Sequence, residues 1–268
     1  MKMKVGLGQF SVAKEWQENL RICQEYMRQA SEQQVDLLVF PEGILARDIA
    51  DPDLVRRAAQ PLNGPFMTEL LSFSRDFTMT VFMTVHVPSD TQDGKVWNIH
   101  LAICQGEIIS QYKKLHLYDA FSMKESTNVI PGSEVPPLVE VAGFKFGMMT
   151  CYDLRFPELS RRLVLDGADA LILPAAWVKG PLKEHHWDTL ATARALENTC
   201  YMIAIGESGP RNIGLSKVID PLGVVTCSAC EQDELVVTEI KKERIAYARQ
   251  ILPALENRCF SKPTLMTE

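Results

Sequence analysis

Three short runs, Val35 to Phe40, Ala170 to Leu173 and Cys200 to Ile205, constrain the fold of this chain more than any other feature. Each is almost wholly apolar, which leaves no face for water, and each is too short for a helix of ordinary length, so they read as strands buried on both sides. Pro41 ends the first as a breaker. Between such runs the period changes. From Glu15 to Glu32, residues Trp16, Leu20, Cys23, Met27 and Ala30 recur at alternating four- and three-residue steps, one face of a helix. Buried strands alternating with amphipathic helices predict an α/β fold in which helices cover the outer faces of packed sheets.

The rest of the chain keeps this rhythm. Helices are predicted at Met67–Phe77, at Pro157–Asp166, where Pro157 and Glu158 suit a first turn, at Glu184–Asn198 and at Lys241–Ile251. Strands are predicted at Val5–Phe10, Thr80–Val87, Trp97–Cys104 and Glu107–Tyr112, with hairpin turns across Ser89–Gly94 and Gln105–Gly106. Val139–Val141 and Lys145–Cys151 flank a turn at Ala142–Gly143, and short strands follow at Lys217–Ile219, Val224–Thr226 and Leu235–Ile240. His116 to Pro137 reads as a loop. The 268 residues contain no Ser/Gly-rich linker, no repeat and no compositional break, so residues 1–268 are expected to form one domain.

Composition narrows the function. With 46% hydrophobic and 23% charged residues, disordered, collagen-like and membrane classes are disfavoured. A net charge of -6 argues against a nucleic-acid or anionic-membrane binder, so an anionic ligand would need a local cation. Seven cysteines cannot all pair within one chain, and reduced thiols in a cytoplasmic protein fit better. The N-terminal residues lack the pattern of a signal peptide.

Three polar residues stand at the ends of strand-like runs: Glu42, Lys114 and Cys151. In layered α/β folds such ends meet in a shared crevice. A cysteine nucleophile needs a base for its proton and gains from a nearby cation, which glutamate and lysine supply. Taken singly, each residue would more commonly be a core thiol or a solvated charge. Their surroundings, Val39-Phe-Pro-Glu42, Tyr112-Lys-Lys-Leu-His-Leu117 and Thr150-Cys-Tyr-Asp-Leu-Arg-Phe-Pro-Glu-Leu159, occur in order along the chain.

Together with Ala175-Ala-Trp177, His186-Trp187, Ala193-Arg-Ala195, Glu197-Asn198 and Asp220-Pro-Leu-Gly223, these segments resemble the nitrilase superfamily of carbon-nitrogen hydrolases. The resemblance implies a four-layer α-β-β-α sandwich that dimerises through outer helices. It further implies Glu42 as general base, Lys114 rather than Lys113 as the cation, Cys151 as nucleophile and Glu125 as a second carboxylate. The Tyr152 N–H would help bind the oxyanion, Arg155 would clamp a substrate carboxylate and Trp177 would line the acyl pocket. Within the superfamily, His116–Phe121 and Leu173–Trp187 are most similar to bacterial amidases of deaminated glutathione. Such an enzyme would release 2-oxoglutarate and cysteinylglycine without cofactor or metal.

Other readings stay open at this point. An ω-amidase of 2-oxoglutaramate would use the same acyl group, and a catalytically silent dimeric scaffold would need none of this chemistry. Arg155 could instead pair with Glu158 or Glu197, Trp177 could be a core residue and Glu125 a solvated one. His116 reads as a buried, hydrogen-bonded ring. Cys227 and Cys230 have the spacing of a zinc or redox pair but no second pair of ligands, and a Cys–His hydrolase built from Cys151 with His116 or His186 would leave Glu42 and Lys114 unexplained.

Overall fold

The computed structural model describes residues 1–90 and 93–266. In chain order its strands are β1 (Lys2–Gln9), β2 (Leu37–Val39), β3 (Thr80–Pro88), β4 (Val96–Cys104), β5 (Glu107–Lys113), β6 (Val129–Ile130), β7 (Val139–Val141), β8 (Phe144–Met148), β9 (Ala170–Ala175), β10 (Tyr201–Gly206), β11 (Lys217–Ile219), β12 (Val225–Ser228) and β13 (Glu234–Lys241). The helices are α1 (Trp16–Glu32), α2 (Leu54–Arg57), α3 (Pro65–Ser74), α4 (Pro157–Leu165), α5 (Lys183–Asn198) and α6 (Lys242–Ile251).

Among the described residues the strands form two sheets, ordered β13-β1-β2-β3-β4-β5 and β12-β11-β10-β9-β8-β7, with β6 added beside β4. Both follow one plan. Parallel strands, β1-β2-β3 in one and β8-β9-β10 in the other, occupy the middle, and antiparallel strands extend the flanks. A parallel neighbour needs a crossover, and α1, α4 and α5 supply such connections on the outer faces.

The apolar runs are explained by where alternate residues point. In β2, Leu37 and Val39 join the core between the sheets, while Leu38, and Phe40 just past the strand, join the core beneath α1 and α3. Neither face reaches water, hence the lack of polar alternation. On the inner side Phe82 of β3 meets Phe146 of β8 across the sheets, with ring centroids 6.1 Å apart. Phe82→Ala would cost about 3–5 kcal/mol by leaving a cavity there. Leu20, Cys23, Met27 and Ala30 of α1 are buried as the spacing required, and Leu159, Leu163, Trp187 and Ala191 seal the opposite sheet from α4 and α5. The result is the expected α-β-β-α sandwich.

Three details differ from the sequence reading. The strand expected to reach Cys151 ends at Met148, and Cys151–Arg155 is a 3₁₀ turn. The loop from His116 to Pro137 contains β6 and a second 3₁₀ turn at Glu125–Thr127. Leu54–Arg57 forms a helix with no apolar period to announce it. The Ser89–Gly94 turn joins antiparallel β3 and β4 as expected, but its residues 91 and 92 lie outside the described residues. No helix among the described residues is long and apolar enough to cross a membrane.

Candidate active site

The ends of β2, β5 and β8 converge between the two sheets, and each is fixed by its neighbours. Beyond β2, the N–H of Gly43 donates to Thr84 Oγ1 at 2.7 Å and that of Ile44 to the Thr84 carbonyl at 3.1 Å, so Glu42 is held against β3. Beyond β5, the Lys114 N–H donates to the Asn98 carbonyl at 3.0 Å, and its carbonyl accepts the Gly132 N–H at 2.8 Å. A Cβ on Gly132 would lie 2.2 Å from the Lys113 carbonyl oxygen, so only glycine permits this approach.

Cys151 is placed by Asp153. The Asp153 Oδ2 accepts the Thr150 N–H at 2.8 Å and the Tyr112 hydroxyl at 2.9 Å, while Oδ1 accepts the His116 N–H at 3.2 Å. This closes the turn tightly enough to hold Cys151 in the left-handed region, at φ 44°. A non-glycine residue adopts that conformation only where its surroundings compel it.

The side chains then meet. Lys114 Nζ lies 2.9 Å from Glu42 Oε1 and 3.0 and 2.9 Å from the two oxygens of Glu125. Glu42 is held on both oxygens, Oε1 also accepting Asn98 Nδ2 at 2.8 Å and Oε2 the Ala176 N–H at 2.9 Å. Cys151 and Glu42 line the same cavity, close enough for the Glu42 charge to act on the thiol. Glu125 accepts the Tyr118 N–H at 2.6 Å, which ties the following loop to the cluster.

Protonation follows from these contacts. Burial alone would raise the Glu42 carboxyl, but Lys114 and then Arg47 outweigh it and hold Glu42 at about 2. Burial would lower the Lys114 ammonium, yet Glu125 and Glu42 overcome that and raise it. Cys151 is pushed well up, first by burial and then by the Glu42 charge, with Lys114 opposing. The resting cluster is therefore thiol, carboxylate and ammonium, rather than a preformed thiolate.

Cys151 opens into a cavity of about 460 Å³ whose lining includes Glu42, Arg47, His86, Lys114, Glu125 and Asn128. On the other side a cleft of about 20 Å³ is lined by Cys151, Tyr118, Tyr152, Trp177 and Lys183. Trp177 belongs to core and cleft at once: it is buried, packs on Trp187 with centroids 5.4 Å apart, and donates Nε1–H to the Lys183 carbonyl at 2.9 Å. Arg155 lines neither space. Its guanidinium lies 4.9 Å from the Trp177 ring centroid, and among the described residues it forms no ion pair; Glu197 pairs with Arg194 instead. His116 is hydrogen-bonded as expected, Nδ1 to Asp153 Oδ1 at 2.7 Å, but it is not buried: its side chain is 30% exposed, stacked on Phe156. Neither His116 nor His186 hydrogen-bonds to Cys151 among the described residues.

Asn98, Arg47 and His86 escaped the sequence reading. Asn98 and His86 are polar residues inside β4 and β3, a pattern that signals an inward-facing site only once the strands are placed. Burial drives His86 and His100 down to about 3, so both rings are neutral.

The carbon-nitrogen hydrolase family pattern matches residues 4–250. The chain is 51% identical to a deaminated glutathione amidase of Escherichia coli O157:H7, over 98% of this chain and 100% of that one. It is 32% identical to the deaminated glutathione amidase of Bos taurus, over 90% of this chain and 77% of that one. Saccharomyces cerevisiae Nit3, a member of branch 10 of the nitrilase superfamily, superposes with a TM-score of 0.83 at 26% identity, covering 97% of each chain. A match that spans every element delivering Glu42, Lys114 and Cys151 leaves one conclusion: the chain belongs to the carbon-nitrogen hydrolase family, within the nitrilase superfamily.

Proposed function

We propose that this protein is an amidase that hydrolyses deaminated glutathione to 2-oxoglutarate and cysteinylglycine through a thioester at Cys151. The observation that carries the chemistry is the single buried ammonium of Lys114 bonded to both Glu42 and Glu125 beside a buried thiol. The substrate rests on similarity to the Escherichia coli amidase along nearly the whole chain, and on a cavity of about 460 Å³ on the Glu42 side. Such a volume suits a leaving group larger than ammonia.

In this mechanism Glu42 takes the Cys151 proton as Sγ bonds to the amide carbon. The carbonyl electrons move to oxygen, where the Lys114 ammonium and the Tyr152 N–H donate to the oxyanion. Tyr152 stands in the first turn of a 3₁₀ helix, so its N–H has no acceptor within that helix. The oxyanion collapses, the C–N bond breaks, and Glu42 hands its proton to the departing nitrogen. Water then enters on the same side, gives a proton to Glu42 and attacks the thioester. Collapse releases the acid, and Cys151 recovers its proton. Lys114 keeps its charge throughout, and Glu125 holds it in place. Arg155 takes the acyl carboxylate; the cleft as it stands has room for about one water, so the acyl chain displaces Tyr118, which lines the cleft, and the Phe121 ring that packs on it.

We treat residues 1–268 as one catalytic domain, because β13 from the end of the chain pairs with β1 at its start. A homodimer is supported by exposed apolar side chains on the outer layer, Leu196, Val224, Tyr247 and Ile251 among them. The cysteines are all free, as the cytoplasm would keep them.

The test compares kcat/KM on deaminated glutathione, 2-oxoglutaramate and a simple nitrile with one preparation. Preference for deaminated glutathione supports the reading; preference for 2-oxoglutaramate would replace it with an ω-amidase, and turnover of neither keto-acid amide would overturn the substrate assignment.

A further inference from the structure

Arg47 lines the main cavity together with Glu42 and Cys151. It follows β2 by a short loop, and its stem crosses Gly43: a Cβ there would sit 3.2 Å from Arg47 Cδ. Its Nε lies 3.1 Å from Glu207 Oε2, a residue just past β10 in the opposite sheet, so this ion pair spans the mouth of the sandwich. Glu207 is itself fixed, Oε1 accepting the Val12 N–H at 3.2 Å. Arg47 is only 20% exposed and lines the main cavity. Among the described residues no hydrogen bond engages its Nη1 or Nη2 groups.

The chemistry sets the orientation of the substrate. Glu42 must deliver a proton to the departing nitrogen, and Glu42 lines the main cavity but not the narrow cleft. The departing half therefore lies in the main cavity, on the Arg47 side. The other cations lining that cavity are Lys114, whose ammonium is taken by Glu42 and Glu125, and Lys124, which is exposed at the rim. Arg47 alone among them is both held in place and supplied with spare donors, in the planar pair that matches a carboxylate. It is also near enough for Glu42 and Cys151 to act on its charge.

We infer that Arg47 is the specificity residue for the leaving group, binding the terminal carboxylate of the departing dipeptide, with Glu207 as the residue that positions it. This rests on the amidase reading above. It explains how one acyl-transfer cluster would distinguish a dipeptide amide from a simple keto-acid amide: the second lacks the group that Arg47 holds.

The experiment uses the intact enzyme and two substrates, deaminated glutathione and the same molecule with its glycine carboxylate converted to an amide. In the wild type the amide is expected to lose about 10- to 100-fold in kcat/KM, mostly through KM, the worth of a charge-assisted pair. In Arg47→Gln combined with Glu207→Gln, which leaves no unpaired buried charge, the two substrates should come within about 3-fold of each other. Arg47→Lys should fall between. Equal wild-type values for acid and amide would overturn the assignment with no variant needed, and so would a preference that survives in the double variant. A wild type that turns over 2-oxoglutaramate but not deaminated glutathione would instead remove the deaminated glutathione reading on which this inference rests, a distinct result.

Discussion

Glu42 and Lys114 meet at 2.9 Å with their side chains 4% and 2% exposed, and the pair is not isolated, because Glu125 closes on the same ammonium. Two carboxylates around one cation leave the cluster with excess negative charge, and that excess falls on the neighbouring thiol. Lys114 therefore does not create a standing thiolate at Cys151. It allows Glu42 to stay ionised in a buried place, and in the proposed mechanism Glu42 would take the thiol proton when a carbonyl carbon arrives.

This arrangement gives Glu42→Gln two opposite effects. Loss of the base should lower kcat/KM by about 10³-fold or more. Loss of its charge should lower the Cys151 thiol from its raised position, so alkylation of Cys151 by iodoacetamide at pH 8 should become faster than in the wild type. Peptide mapping of the alkylation rate checks this; an unchanged rate would show that the Glu42 charge does not govern the thiol, and a slower one that Glu42 promotes its ionisation.

Activity should be nearly level with pH across the neutral range. Glu42 at about 2 stays ionised well below pH 5, and the raised thiol and ammonium keep their protons above pH 8. A Cys–His hydrolase would instead show a limb near the ordinary histidine range. The readout is kcat, because Glu207, which positions Arg47, is raised to about 7 and would act through KM; a kcat profile with a clear break between pH 6 and 7 would contradict the Glu-Lys-Cys assignment.

Glu207 gives a stability signature of the opposite sign to Glu42. Burial raises Glu207 to about 7, with Arg47 opposing, so the folded state holds a proton that the unfolded chain releases near 4.5. Its contribution is complete below that lower value and is lost as pH rises through about 7, on the order of 3 kcal/mol. Glu42, held down, contributes above 4.5 and is lost as pH falls through about 2. Urea unfolding at pH 5 and pH 8 should show the wild type losing stability over that interval, and Glu207→Gln losing less.

Asp153→Asn should reduce both stability and rate. The carboxylate accepts from Thr150, Tyr112 and His116, and an amide cannot accept from all of them. A loss of about 1–3 kcal/mol is expected for the donors left without a partner. Because this turn imposes the φ of Cys151, kcat should fall by more than KM rises.

Glu125→Gln keeps the Tyr118 N–H acceptor but weakens the hold on Lys114. A drop in kcat of about 10- to 100-fold is expected, with the Cys151 thioester still forming. Unchanged kcat would mean that Glu125 only orders the loop.

The sequence was most legible where burial is complete on both faces, as in β2, β9 and β10, or where one helical face is repeated over several turns, as in α1. It was least so where tertiary contacts decide. Met149 and Thr150 continue the apolar run of β8, yet the bonds to Asp153 turn the chain before Cys151. β6 is a strand only because β4 offers it an edge. Glu42, Lys114 and Cys151 could be singled out because each ends a strand-like run inside a motif of the nitrilase resemblance; strand position alone would not have separated Lys114 from Lys113. Arg47, His86 and Asn98 could not, since nothing local distinguishes them until three elements of one sheet are brought to a single cavity.

The central claim is a covalent acyl-enzyme at Cys151. Enzyme mixed with deaminated glutathione and quenched in acid within the first turnovers should carry a 2-oxoglutaryl increment by intact-mass spectrometry, mapped to the peptide containing Cys151 and absent from Cys151→Ala. Turnover with no such adduct, or with the adduct on another residue, or full activity in Cys151→Ala, would contradict it.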